Sequence, residues 1–106
     1  MTSEDFAVSI ERLLKQIGHW EQSRWSATPR VPAGGSRAEV VHGLAQLLAD
    51  YAADAEGHPR RPVPRVGALT LPDQVKVLAD DLSAAGVSDD VFKLATEEVN
   101  AVRRAL

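Results

Sequence analysis

Apolar residues recur at spacings of three and four positions in four separate segments of this chain. That spacing places them on one face of an α-helix, because about 3.6 residues complete a helical turn. Residues 66–71 could alternate as a short extended piece, but no second segment is available to pair with it. The pattern therefore predicts an all-α fold.

The four apolar stripes predict helices over about residues 3–24, 36–56, 72–85 and 88–105. Ser36 and Ser88 are expected to cap the second and fourth of these helices, and Glu39 is expected to complete a capping box with Ser36. Gly18 weakens the interior of the first helix, so a kink or an early end is expected there. Because the link between the third and fourth helices is short, those two should pack as antiparallel neighbours.

Two connections join the predicted helices. The first, residues 25–35, is interrupted by prolines and glycines. The second, residues 58–71, carries Pro59, Pro62 and Pro64, which favour an extended polyproline II path. A chain of 106 residues suits one domain. We therefore predict a single-domain four-helix bundle with a long proline-rich crossing loop.

Composition excludes several classes of protein. The chain has no cysteine, which rules out a disulfide scaffold, a thiolate zinc site and a cysteine nucleophile. No apolar run approaches the roughly 18–20 residues that span a bilayer, and the segment Met1–Asp5 is acidic where a signal peptide is basic. The net charge of -3 argues against general nucleic-acid binding. We therefore expect a cytoplasmic protein with neither membrane nor nucleic-acid partners.

The sequence offers weak signals for metal binding or catalysis. Glu39 and His42 have the Glu-x-x-His spacing of di-metal bundles, but the motif occurs once and the helical wheel turns both side chains towards water. Gly34, Gly35 and Ser36 lead into a helix N-terminus, which either holds an anion or is simply a turn and a cap. There is no nucleophile elbow and no phosphate-binding glycine loop. We predict no catalytic residue, no metal and no cofactor.

Positive charge is concentrated in and beside the two connections. Half of the twelve basic residues lie there: Arg24, Arg30, Arg37, Arg60, Arg61 and Arg65. The stretch from Gly67 to Asn100 instead holds seven acids against two lysines. If both connections lie at the same end of the bundle, this segregation predicts a dipolar surface. Such a surface would dock an acidic partner, a phosphate-bearing ligand or a second copy of the chain.

Two further features of the connections have alternative interpretations. Trp25 lies just past the first apolar stripe, where it either anchors a binding interface or closes the end of the core as a lid. Pro59 and Pro62 form a Pro-x-x-Pro, which some binding domains recognise. The flanking basic residues are misplaced for that role, so a stiff strap between helices is the preferred interpretation.

Three stretches, Asp54–Arg65, Leu71–Gln74 and Leu78–Leu82, resemble small uncharacterised helical proteins of high-GC Gram-positive bacteria. The resemblance covers about the middle third of the chain. It implies a bacterial cytoplasmic setting and no particular activity.

These observations favour a non-catalytic protein-interaction or adaptor domain whose partner is another protein or a second copy. The candidate interaction residues are Trp25, Arg30, Arg37, Arg60, Arg61 and Arg65. The alternative is a small-molecule or anion-binding protein, or an enzyme, that uses the arginines of residues 30–37 and 60–65. In that case Arg30, Arg37 or Arg60 would converge on the N-terminus of the second predicted helix.

Overall fold

The computed structural model describes residues 2–30 and 35–106. Within these ranges the chain forms α-helices and one 3₁₀ turn and has no strand, which confirms the all-α prediction. The elements are α1 (Ser3–Ile17), α2 (Gln22–Ser26), α3 (Arg37–Glu56), the 3₁₀ turn (Ala68–Thr70), α4 (Leu71–Ala84) and α5 (Asp89–Ala105). No helix in the described part of the chain is both long and apolar enough to cross a membrane.

The first predicted helix, residues 3–24, is wrong in its extent, because the structure divides it into α1 and α2. The chain leaves the helix at Gly18, where glycine costs about 1 kcal/mol relative to alanine. In a continuous helix Trp20 and Trp25 would lie about 140° apart around the axis. The break instead lets both rings enter the core, where they pack edge to face with centroids 4.9 Å apart.

The helix starts agree with the predicted capping residues, with one difference. Ser36 accepts a hydrogen bond from the backbone of Glu39, and Ser88 accepts one from Val91. The second half of the predicted box at Ser36 does not form. The Glu39 carboxylate bonds to Arg65 instead, because an arginine from the second connection lies within reach.

The four long helices pack around one core. α1 contacts α4 and α5, α3 contacts the same two helices, and α2 packs on α3 and the 3₁₀ turn. The expectation that α4 and α5 pack as antiparallel neighbours was wrong, since each packs mainly on α1 and α3. Gly86, whose φ of 75° favours glycine, turns the chain between them. Fully buried core side chains include Phe6, Leu13, Ile17, Leu48, Val75 and Val99.

Candidate functional site

The second connection lies against α3 as an extended segment, residues 58–67, which we call the strap. Side chains spaced four residues apart on α3 hold it there. Gln46 accepts a bond from the Val63 N–H at 2.8 Å and donates one to the Arg61 carbonyl at 3.0 Å. His42 Nε2 donates to the Val63 carbonyl at 3.1 Å, since a carbonyl can only accept. Val63 itself is buried in the core.

Two of the three strap arginines form ion pairs with acids of α3. Arg60 makes two hydrogen bonds to the Asp54 carboxylate, at 3.0 and 2.7 Å. These bonds lower the pKa of Asp54 and raise the pKa of Arg60. Arg65 Nη1 donates to Glu39 Oε1 at 2.8 Å. Arg60 and Arg65 therefore join the strap to α3, while their side chains remain 61% and 63% exposed.

The Glu39 and His42 pair does not behave as predicted. Glu39 is exposed as expected, but His42 is half-buried, because its ring lies under the strap. The two side chains thus have separate partners, Arg65 and Val63. Within residues 2–30 and 35–106, no three His, Cys, Asp or Glu side chains come together as metal ligands would.

Trp25 lies in the core rather than on the surface. Its side chain is 1% exposed, and its ring packs against the edge of Trp20. α2, which carries Trp25, covers α3 and the 3₁₀ turn. Of the two sequence interpretations, the burial agrees with a lid over the end of the core. A side chain this buried offers no surface to a partner.

The first connection contributes to a cavity of about 290 Å³ that we call the arginine cavity. Its lining consists of Gln16, His19, Trp20, Arg24, Arg30, Arg37, Arg103 and Leu106. No acidic side chain belongs to this set. Residues 31–34, which lie outside the described part of the chain, are Val-Pro-Ala-Gly and carry no acid either.

The arginines of the cavity come from four places in the chain, and two of them lie over the Trp20 ring. Arg24 lies on α2, Arg30 follows it in the connection, Arg37 begins α3 and Arg103 lies in the last turn of α5. The guanidinium carbons of Arg24 and Arg37 each lie 5.4 Å from the centroid of the Trp20 ring. That distance is typical of cation–π contacts, which hold a guanidinium in place without neutralising it.

Two polar contacts join residues of the cavity and leave the charge of its arginines uncompensated. Arg37 Nη1 donates to the Arg24 carbonyl at 3.5 Å, and Gln16 Nε2 donates to the Arg103 carbonyl at 3.2 Å. Among the described residues, none of the four guanidiniums has an ion-pair partner. The Nε atoms of Arg37 and Arg103 are buried and donate to no acceptor there. Leaving such donors unpaired in a buried position is costly.

A second depression, of about 310 Å³, adjoins the arginine cavity and shares Arg103 with it. Arg12, Asn100 and Arg104 complete its lining. Six of the nine arginines therefore lie around two adjoining depressions, which together we call the basic end. Its members are Arg12, Arg24, Arg30, Arg37, Arg103 and Arg104.

The predicted arginines of the site thus divide into two groups. Arg30 and Arg37 come together in the arginine cavity, whereas Arg60, Arg61 and Arg65 are spread along the strap. Arg61 is exposed and has no ion pair in the described residues. The anticipated convergence of arginines near the start of α3 therefore includes Arg30 and Arg37 but not Arg60.

Sequence reasoning missed Arg103 as a member of the site, because only the packing of α5 on α1 brings it there. Arg24 belongs to the predicted charge pattern but not to the predicted interaction residues, and α2 brings it into the cavity.

The Gly34-Gly35-Ser36 turn shows no separate anion site in its described part. Gly34 lies outside the described residues, while Ser36 is occupied as the α3 cap and the Arg37 N–H donates to the Ala27 carbonyl at 2.9 Å. The anion-binding potential of this region therefore rests on side chains. Comparisons with protein-family models, with curated proteins and with solved structures found no match to the chain.

Proposed function

We propose that the protein is a non-catalytic interaction domain that holds an anionic group of a partner protein in the arginine cavity. One observation carries this proposal: four arginines from separate parts of the chain line one cavity, and the described residues of its lining include no acid. Arginine is the cation best suited to such recognition, because its planar fork binds carboxylate and phosphate oxygens in pairs.

The distribution of ion pairs supports the proposal. The chain has fifteen acids and twelve basic residues, so acids are plentiful. Described acids pair with Lys15, Lys76, Arg60 and Arg65, yet none pairs with a cavity arginine. Like charges held close together repel each other, and an anionic partner would relieve that repulsion. Complementary charge of this kind favours docking of an acidic surface.

A small-anion-binding protein is the second candidate. The volume of about 290 Å³ supports it, because that is near the lower limit of small-molecule pockets, roughly 300 Å³. We rank an enzyme below both, since His19 is the one general acid–base side chain in the lining and no nucleophile accompanies it. A second copy of the chain could also supply the anionic group.

We propose that α1, α3, α4 and α5 form a four-helix bundle that the proline-rich strap crosses. The short helix α2 is then an addition to this bundle. We also propose that the protein acts in a bacterial cytoplasm, on the basis of the resemblance of residues 54–82.

Tryptophan emission gives a direct test of the proposed function, because Trp20 lines the cavity. The purified protein is titrated at low ionic strength with three probes: an oligoglutamate peptide, inorganic phosphate and a short single-stranded oligonucleotide. We expect saturable binding of at least one of the first two probes. The double variant Arg24→Gln, Arg37→Gln should bind at least about tenfold more weakly, since each lost charged hydrogen bond costs about 1.5–3 kcal/mol.

A matched control removes two charges elsewhere. Arg61 and Lys93 are exposed and have no ion pair among the described residues, so the variant Arg61→Gln, Lys93→Gln should bind like the wild type. Equal weakening by both double variants would mean that net charge alone governs binding, and the proposal would fail. Binding of the oligonucleotide alone would also overturn it, in favour of a nucleic-acid partner.

A further inference from the structure

The positions of the arginines around the cavity constrain the shape of the anion. Arg37 lies on α3 and Arg103 on α5, and both line the cavity. A ligand held by both residues therefore needs acceptor oxygens on two sides. A carboxylate offers two oxygens in one plane, whereas a phosphate monoester offers three terminal oxygens in a tetrahedral arrangement. The tetrahedral group is better able to accept paired bonds from two separate guanidiniums.

The charge of the cavity also favours a phosphate monoester over a carboxylate. Four guanidiniums line the cavity without an acid, so a ligand with more negative charge relieves more repulsion. A phosphate monoester carries about -1.5 to -2 charges at neutral pH, while a carboxylate carries one. Trp20 is little exposed at the cavity wall. Its apolar surface strengthens the electrostatic attraction between the arginines and the ligand, because water screens charges less beside an apolar surface.

The cavity is also of a suitable size. A volume of about 290 Å³ accommodates one small anionic group together with the first atoms of the molecule that carries it. The adjoining depression at Arg12 and Arg104 leaves positively charged surface for the flanking part of that molecule. An extended ligand, such as a peptide, would cross this surface.

Resting on the proposed function, we propose that the anionic group held between Arg24, Arg30, Arg37 and Arg103 is a phosphate monoester on a side chain of the partner protein. The domain would then distinguish a phosphorylated partner from the same partner without its phosphate. Arg37 and Arg103 would provide that distinction through paired bonds from their guanidiniums, and Arg24 and Arg30 would add charge.

Calorimetric titration of the whole chain with four probes tests this inference. The probes are a peptide with one phosphoserine among neutral residues, the same peptide with serine, the same peptide with glutamate, and free O-phosphoserine. We expect the phosphopeptide to bind at least about tenfold more tightly than the glutamate peptide, as expected for one additional charged hydrogen bond. The serine peptide should not bind measurably.

Conservative variants separate the geometry of the guanidinium from its charge. Arg37→Lys and Arg103→Lys keep the positive charge but remove the planar fork of donors, so each should weaken phosphopeptide binding about tenfold. Binding of the glutamate peptide should weaken less, because a carboxylate has fewer oxygens to accept bonds from two guanidiniums. The control Arg61→Lys, in the exposed part of the strap, should behave like the wild type. Thermal melts of all variants show whether the fold is retained.

The outcomes distinguish the two proposals. Equal affinity for the glutamate peptide and the phosphopeptide would overturn the phosphate inference and leave the proposed function standing. Failure of every probe to bind would overturn both. If free O-phosphoserine binds as tightly as the phosphopeptide, a phosphorylated small molecule replaces the partner protein as the source of the phosphate, and the partner-protein part of the inference falls.

Discussion

The guanidinium carbon of Arg37 lies 5.4 Å from the centroid of the Trp20 ring, which joins the first residue of α3 to the chain just beyond α1. Arg24 lies at the same distance from that ring. An indole attracts a cation through its π-electrons and carries no net charge. The arrangement therefore positions two arginines without neutralising them, which an acidic side chain in the same place would do.

Replacing Trp20 tests whether its ring organises the cavity. Trp20→Leu keeps an apolar side chain but removes both cation–π contacts, each worth about 0.5–1 kcal/mol at a partly exposed site. We expect phosphate binding, measured by calorimetry, to weaken about three- to tenfold in this variant. Trp20→Phe retains an aromatic face and should lose less affinity for phosphate. Equal losses in both variants would show that the ring face has no part in positioning the arginines.

Trp25 should contribute to stability rather than directly to binding, because its side chain is 1% exposed. We expect Trp25→Ala to lower the free energy of unfolding in urea by about 3–5 kcal/mol. Leu94→Ala serves as the control, since Leu94 is 49% exposed and should change stability by no more than about 0.5 kcal/mol. An unchanged denaturation midpoint for Trp25→Ala would instead support an interface role.

The strap should be part of the cooperative fold, since it places Val63 in the core. Val63 is 8% exposed and Val66, three residues later, is 60% exposed. We expect Val63→Ala to cost about 1–3 kcal/mol of unfolding free energy and Val66→Ala less than about 0.5 kcal/mol. Chemical denaturation of the two variants measures the difference. If both substitutions are equally mild, the strap does not lie on α3 as described.

The Arg60–Asp54 pair should make stability depend on pH at the acid end. The bonds from Arg60 lower the pKa of Asp54 in the folded chain below its ordinary value, about 3.9. The contribution of the Arg60–Asp54 pair to the free energy of unfolding is therefore fully present above that ordinary pKa. It is lost as the pH falls through the lowered pKa of the folded chain. Because the pair is exposed to solvent, the effect should be small.

Thermal melts of Asp54→Asn across pH 2–7 test this expectation, with Asp81→Asn, an exposed aspartate without an ion pair in the described residues, as the control. The difference in melting temperature between the wild type and Asp54→Asn should be present at neutral pH and shrink as the pH is lowered towards 2. A difference that persists unchanged at pH 2 would contradict the assignment.

The helical architecture followed from sequence because its causes are local. Apolar spacing predicts which face of a segment is buried, and Ser36 and Ser88 cap helices through residues only three positions away. The break between α1 and α2 was visible as a weak point at Gly18, yet its extent depends on the packing of Trp20 against Trp25. Packing of this kind is tertiary and leaves no periodic signal.

The candidate site was only partly predictable for the same reason. Charge pattern indicated Arg30 and Arg37, but it gave equal weight to Arg60 and Arg65, whose partners Asp54 and Glu39 lie 6 and 26 positions away in the chain. Whether an arginine is paired depends on which residues the fold places beside it. Arg103 joins the cavity through the contact of α5 with α1, a relationship that residue spacing does not encode.

Nitrogen-15 NMR of the arginine side chains would detect an anion in the arginine cavity residue by residue, because each Nε–H group gives its own signal. The whole chain is titrated with inorganic phosphate to about 10 mM, where even a millimolar site is largely filled. We expect saturable shifts of the Arg37 and Arg103 Nε–H signals, with those of Arg60 and Arg65 unchanged. No shift at Arg37 and Arg103, or equal shifts at all nine arginines, would contradict a specific anion site in the arginine cavity.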